Sequence, residues 1–421
     1  MMTQGQKDEI EASLRGFYAN SFFHIYTVGE FNVDISQIAS TRDKGTALHE
    51  YTHYIQNIGT LWGLYCSMCN YDMILQFKYE IFNAQEIKRP VTISLTEPLE
   101  RKKRYVQHGN GTQGYPKWNL NDDEAIDYSL TPVDVNGKRE VQVDVSFTLI
   151  DGTKQSVKLG AHIIKESMAA MMQSLLDPNA KHDDVPYNLV FKLATKHFEN
   201  TSKDIRKLIC CCHASLFSMS PGETLIELLG EAESESQLDG FQLFSRFIHT
   251  KEVVTGRGVR KTILEFFNDM VNGFKSKLSD NLVAPLDYIE AALDRVRLDG
   301  QYYPFLSVLY DNDGFSEKAF TDIIGYYGVP YVQTQQNGYY YPKGNGGNSD
   351  DASIDVLELI VQEALYLNFV NKDRMNVCPL YYMCQNSKWE KPECFDKPWE
   401  GSACSYTVVS DALGLRGKKI E

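Results

Sequence analysis

Residues His49-Glu50-Tyr51-Thr52-His53 read H-E-x-x-H inside a helix-like stretch, Asp43 to Asn57. Leu48, Tyr51, Ile55 and Ile58 recur at helical spacing, so one face packs while His49 and His53 face elsewhere. Residues four apart lie one turn apart on the same side of a helix. Two imidazoles so placed can aim at one divalent ion. Glu50 then stands beside the open coordination position, where it can take a proton from water. Such a pattern demands an ordered helix and a further ligand brought in from elsewhere in the chain. With nine His among 421 residues, chance yields about 0.01 such matches in a chain of this length. The competing reading is a buried amphipathic helix whose histidines merely satisfy polar neighbours. Ser40, Thr41 and Asp43 are N-cap candidates, and Phe31 to Ile35 alternates like a strand just upstream.

Over residues 40 to 60 the chain resembles the zincin metallopeptidases. That resemblance implies an active-site helix, a small mixed sheet above it, Zn²⁺ held by His49 and His53, Glu50 as general base, and a downstream ligand. The metzincin branch carries a glycine and a histidine where this chain has Gln56 and Gly59. A gluzincin-like arrangement remains, with a Glu on a later helix as third ligand. Three glutamates sit in apolar helical surroundings: Glu166, Glu227 and Glu363. A lone carboxylate among apolar residues is costly unless paired or metal-bound. Glu166 is preferred, because Ser167, Ala169 and Ala170 would let its helix approach the first one closely; Glu363 and Glu227 stay open. Some gluzincins place an acidic residue four positions after the ligand, to orient a metal-bound His. Here that position is Ala170, so the acceptor must come from elsewhere. His162, one turn before Glu166, is the candidate donor to a developing oxyanion, with Tyr341 as a second choice. The implied activity is hydrolysis of peptide bonds, with a protein or peptide as substrate.

The expected fold class is α+β. Residues 1–180 would form a zincin-like core, interrupted by an antiparallel β insert at about 88–160 that turns at Asn136-Gly137 and Asp151-Gly152. Residues 181–421 read as a mainly helical domain with an irregular tail rich in Cys and Trp. A short helix over 8–19 and an extended stretch over 22–36 complete the reading, with 31–35 as an edge that could pair with substrate. The Gly-rich run near 344 lacks the Lys-Ser/Thr of a phosphate loop and reads as a surface loop or a lid.

Net charge is −14, which argues against nucleic acid or an anionic membrane as partner. Met1 to Glu9 holds no apolar signal core, and no stretch reaches transmembrane length. Nine cysteines, three of them consecutive (Cys210, Cys211, Cys212), are a poor disulfide framework. The expectation is a reduced, cytoplasmic protein, whose helical half could bind a regulatory protein. Adjacent helical residues point about 100° apart, so Cys210–Cys212 and His213 should pack rather than chelate. Cys66 and Cys69 lie within a helix and should also pack. Cys378, Cys384, Cys394 and Cys404 lack paired CxxC knuckles, and a structural zinc is the alternative to packing there. Arg101 to Arg104 reads as a solvated loop. A non-catalytic binding or scaffold protein with a structural or decayed site is the alternative function; the intact Glu50 argues against it.

Overall fold

A computed structural model of the chain describes residues 23–420 apart from 28, 114–117, 122–125, 255–257, 298–302, 312–313, 335–338, 344–352, 372–377, 385–391, 396 and 401–403. The expected helix over 8–19 and most of the Gly-rich run lie outside the described residues.

Strand β1 (His24–Thr27) precedes two long helices, α1 (Thr41–Ile58) and α2 (Leu61–Asn83). Next come β2 (Glu86–Ile87), α3 (Glu97–Asn110), the strands β3 (Asp127–Val135), β4 (Lys138–Thr148) and β5 (Lys154–Leu159), and then α4 (Ala161–Leu176). Helices α5 (Leu189–His197), α6 (Glu199–Ser202), α7 (Ile205–Ser215), α8 (Pro221–Ser234) and α9 (Gly240–Thr250) follow. A hairpin of β6 (Glu252–Val254) and β7 (Arg260–Thr262) leads into α10 (Ile263–Ser279), α11 (Tyr288–Val296), α12 (Pro304–Ser307) and α13 (Glu317–Tyr327). The remainder is β8 (Tyr331–Thr334), β9 (Tyr339–Tyr340), α14 (Ile354–Val370), α15 (Tyr381–Cys384), α16 (Ser405–Ala412) and β10 (Lys419–Ile420). Helix dominates and every sheet is small, which is an α+β arrangement.

The β insert forms as its turn residues dictate. Asn136 (φ 56°) and Gly137 (φ 78°) both take positive φ, as a two-residue hairpin requires, and β3 pairs antiparallel with β4 from Val135↔Lys138 outward. Val143, Val145 and Phe147 of β4 alternate into the core. Within the insert, Arg101 to Arg104 lies on α3 and not on a loop. Pro98 in the first turn marks the helix start. Arg101 and Arg104 pair with Glu97 and Glu100 one turn back, and Lys102 reaches Asp72 at 2.7 Å.

Residues 31–35 are likewise not a strand. Asn32 Oδ1 accepts from the Asp34 N–H at 3.0 Å and Asp34 Oδ1 accepts from the Ser36 N–H at 3.1 Å, and a 3-10 turn follows at Ile35–Gln37. Short polar side chains that bond their own backbone compete with strand pairing. The strand in this region is β1, which pairs in parallel with β8 from His24↔Tyr331 to Thr27↔Thr334; β9 adds antiparallel to β8. This small mixed sheet packs on α1, where Phe23 meets Tyr54 edge-on at 5.9 Å. The main buried cluster runs from Phe23 to Ile360. A smaller one joins Phe77 and Ile81 of α2 to Val361, Leu365 and Phe369 of α14 and Tyr406 of α16.

Candidate metal centre

Helix α1 starts where Ser40 accepts a hydrogen bond from the Asp43 N–H, and ends at Gly59. Its middle is buried on most sides, which fixes the direction of each side chain. Helix α4 runs beside it and comes close at Gly45, which faces Gln173 and Asp177. Ser167, Ala169 and Ala170 are all buried in α4, and Ser167 Oγ donates to the Pro186 carbonyl at 2.6 Å.

The α1–α4 interface brings three donors together. His49 Nε2 lies 3.6 Å and His53 Nε2 3.5 Å from the same oxygen, Glu166 Oε2. Among the described residues, His49, His53 and Glu166 are the group of three metal-ligating side chains whose donor atoms all fall within 4.8 Å of one another. Those two distances are too long for charge-assisted hydrogen bonds, which run about 2.7–2.9 Å. They are close to the roughly 3.3 Å edge of a tetrahedron with bonds of about 2.0–2.1 Å, the length of nitrogen and oxygen bonds to zinc.

His53 is oriented by its own helix. Gln56 Nε2 donates to the Lys165 carbonyl at 3.1 Å, so Gln56 Oε1 faces His53 Nδ1 at 2.9 Å and accepts its hydrogen. That tautomer leaves Nε2 as the lone-pair donor. The tight α1–α2 corner holds Gln56 in place: Thr60 Oγ1 donates to the Gln56 carbonyl at 2.6 Å, and any side chain at Gly63 would collide with that carbonyl. Gln56 therefore supplies the support for which Ala170 has no group. His49 Nδ1 is buried with no hydrogen-bond partner among the described residues.

Comparison with known proteins gives no match: no family model, no curated protein and no solved structure corresponds to this chain.

Burial pushes the Glu50 carboxyl up to about 7; His49 lowers it and Glu166 raises it further. Burial acts to raise Glu166, but the electrostatic influence of the nearby His53 and His49 rings outweighs it and holds this carboxyl well below its usual range. One carboxylate is thus held charged between the imidazoles, while its neighbour is poised to exchange a proton near neutrality.

Glu227 is exposed on α8, with Lys251 3.6 Å away, and Glu363 is buried on α14; neither belongs to the three-donor group. His162 stands in the first turn of α4, where burial lowers its imidazole and the charges of Glu166 and His53 act on it. Tyr341 packs against the main core after β9.

Sequence reasoning missed two rings. His182 stacks on His49 at 5.9 Å, and Tyr187 lies 6.0 Å from His49 and 4.9 Å from His182, centroid to centroid. Burial and the nearby charges of Glu166 and Glu50 push the Tyr187 hydroxyl up to about 12, so it stays a proton donor. The loop that carries both rings is pinned from two sides: Asp184 Oδ2 accepts from the Leu120 N–H at 2.8 Å, and the Val185 N–H donates to the Trp118 carbonyl at 3.0 Å. No periodic signal marks such residues, because tertiary contacts set the direction of a loop side chain.

Proposed function

We propose that this chain is a zinc-dependent peptidase of the zincin type, with a gluzincin-like ligand set of His49, His53 and Glu166. The observation that carries the reading is the convergence of two imidazoles and one carboxylate at tetrahedral-edge spacing, with Glu50 on the same helix turn. The mixed sheet packed on α1 is in keeping with a zincin-like core. A bound divalent metal would polarise a carbonyl and lower the pKa of water from 15.7 to about 7. Glu50 is the base that accepts the proton of the attacking water and later passes it to the leaving amine. Tyr187, His182 and His162 are the nearby groups able to donate to the oxygen of the scissile carbonyl as negative charge develops there. Three protein ligands leave a fourth position for water, whereas structural zinc sites are closed and favour thiolates.

The test is Glu50→Gln. This variant should keep its metal and its fold and lose about 10²–10⁴-fold in peptide hydrolysis. Wild-type protein that carries no metal, or a variant that hydrolyses as fast as wild type, would overturn the assignment. With the bond-cleaving step blocked, Glu50→Gln also serves to trap protein or peptide substrates.

A further inference from the structure

Apart from Cys66, Cys69 and Cys210 to Cys212 the chain has four cysteines, and Cys378, Cys384, Cys394 and Cys404 all line one cavity of about 500 Å³. They arrive from separate pieces of chain. Cys378 precedes α15 and Cys384 ends it, Cys394 lies in the 3-10 turn Pro392–Phe395, and Cys404 is the N-cap of α16. Among the described residues no disulfide joins them. Backbone contacts tie the pieces together at the sulfurs. The Cys378 N–H donates to the Cys394 carbonyl at 2.9 Å, the Leu380 N–H donates to Cys378 Sγ, and Thr407 Oγ1 lies 3.5 Å from Cys404 Sγ. Between α14 and α16 the described elements are only three or four residues long, and elements so short bury little core and gain from a staple.

We propose that these four cysteines are a second metal site, which takes one thiophilic divalent ion such as Zn²⁺ as four thiolates. Four S–H bonds break, four metal–sulfur bonds form and four protons pass to solvent. In the structure the sulfurs surround the cavity without closing on one point, since no three lie mutually within 4.8 Å. Zinc–sulfur bonds of about 2.3 Å would draw them to roughly 3.8 Å apart. Glu358 also lines the cavity, but its oxygens already accept from the Val283 and Ala284 N–H groups and from Gln362. The donor set is therefore sulfur alone, and the site does not depend on the peptidase reading.

The experiment is cobalt titration and metal counting on the full chain. Wild type and His49→Ala should both develop the near-ultraviolet sulfur-to-cobalt charge-transfer band, and Cys404→Ser should lose it. Zinc content should fall by one equivalent in Cys404→Ser or Cys394→Ser. Under denaturing conditions all four thiols should alkylate once a chelator is added, without reductant. No charge-transfer band in wild type would overturn the proposal whether or not the variants fold. Alkylation that requires a reductant would overturn it in favour of disulfides.

Discussion

At the α1–α4 interface the donors stand on helices of 18 and 16 residues; in the tail, the cysteines stand on or beside elements of four to eight. The long helices bury most of their residues, so the directions of His49, His53 and Glu166 are set by packing before any ion arrives. Their donor atoms already converge. The sulfurs of the tail share a cavity and do not converge; the described elements that carry them are short. A prearranged centre spends little of its binding free energy on ordering the protein and leaves the metal free for chemistry. A loosely arranged one uses metal binding to fold the chain around it.

Metal removal is the strongest way to break this contrast. Exhaustive chelation should leave hydrogen-exchange protection in α1 and α4 nearly unchanged, while residues 378–412 lose theirs. Equal loss in both regions would mean that the histidine centre is not prearranged. The next effect concerns Gln56. Gln56→Leu removes the acceptor at His53 Nδ1 and should weaken metal binding at the histidine centre by about 10–100-fold, leaving the helical circular dichroism unchanged. Unchanged affinity would show that packing alone orients His53.

A smaller effect sharpens the comparison from outside both clusters. His213 is fully buried, shares a 2.9 Å hydrogen bond with the Tyr303 hydroxyl, and packs on Phe217, Phe244 and Phe305. Burial depresses its imidazole from 6.5 to about 3. Between those two values the unfolded chain binds a proton that the folded chain refuses. The contribution to stability is complete above about pH 6.5 and is lost progressively as pH falls toward 3. His213→Gln should flatten the fall in denaturation midpoint across that window. A slope identical to wild type would show that other groups govern acid unfolding.

Much of this molecule was legible in its residues. The extents of α1, α2, α4 and α14 follow from apolar spacing, with an N-cap side chain marking the start of α1. The β3–β4 turn follows from Asn136-Gly137, and small residues beside a lone carboxylate made Glu166 the preferred partner for His49 and His53, with Glu363 and Glu227 still open. Strand β8 was not legible: four residues in a mostly helical stretch gain strand character by pairing with β1, about three hundred positions earlier. Asp34 turned an alternating run into a 3-10 cap, and Thr96-Glu97-Pro98 opened a helix where a basic loop was expected.

The sequence by itself determined which chemistry is on hand: two imidazoles one turn apart, a base between them, and a set of thiols downstream. Such features are local, fixed by helical periodicity and by side-chain type. Only the tertiary structure decided which glutamate reaches the histidines, that Gln56 orients His53, that His182 and Tyr187 stand beside His49, and that four cysteines of the tail share a cavity. Those outcomes depend on how separate elements pack, and packing directions across long stretches of chain have no periodic signature in the residues themselves.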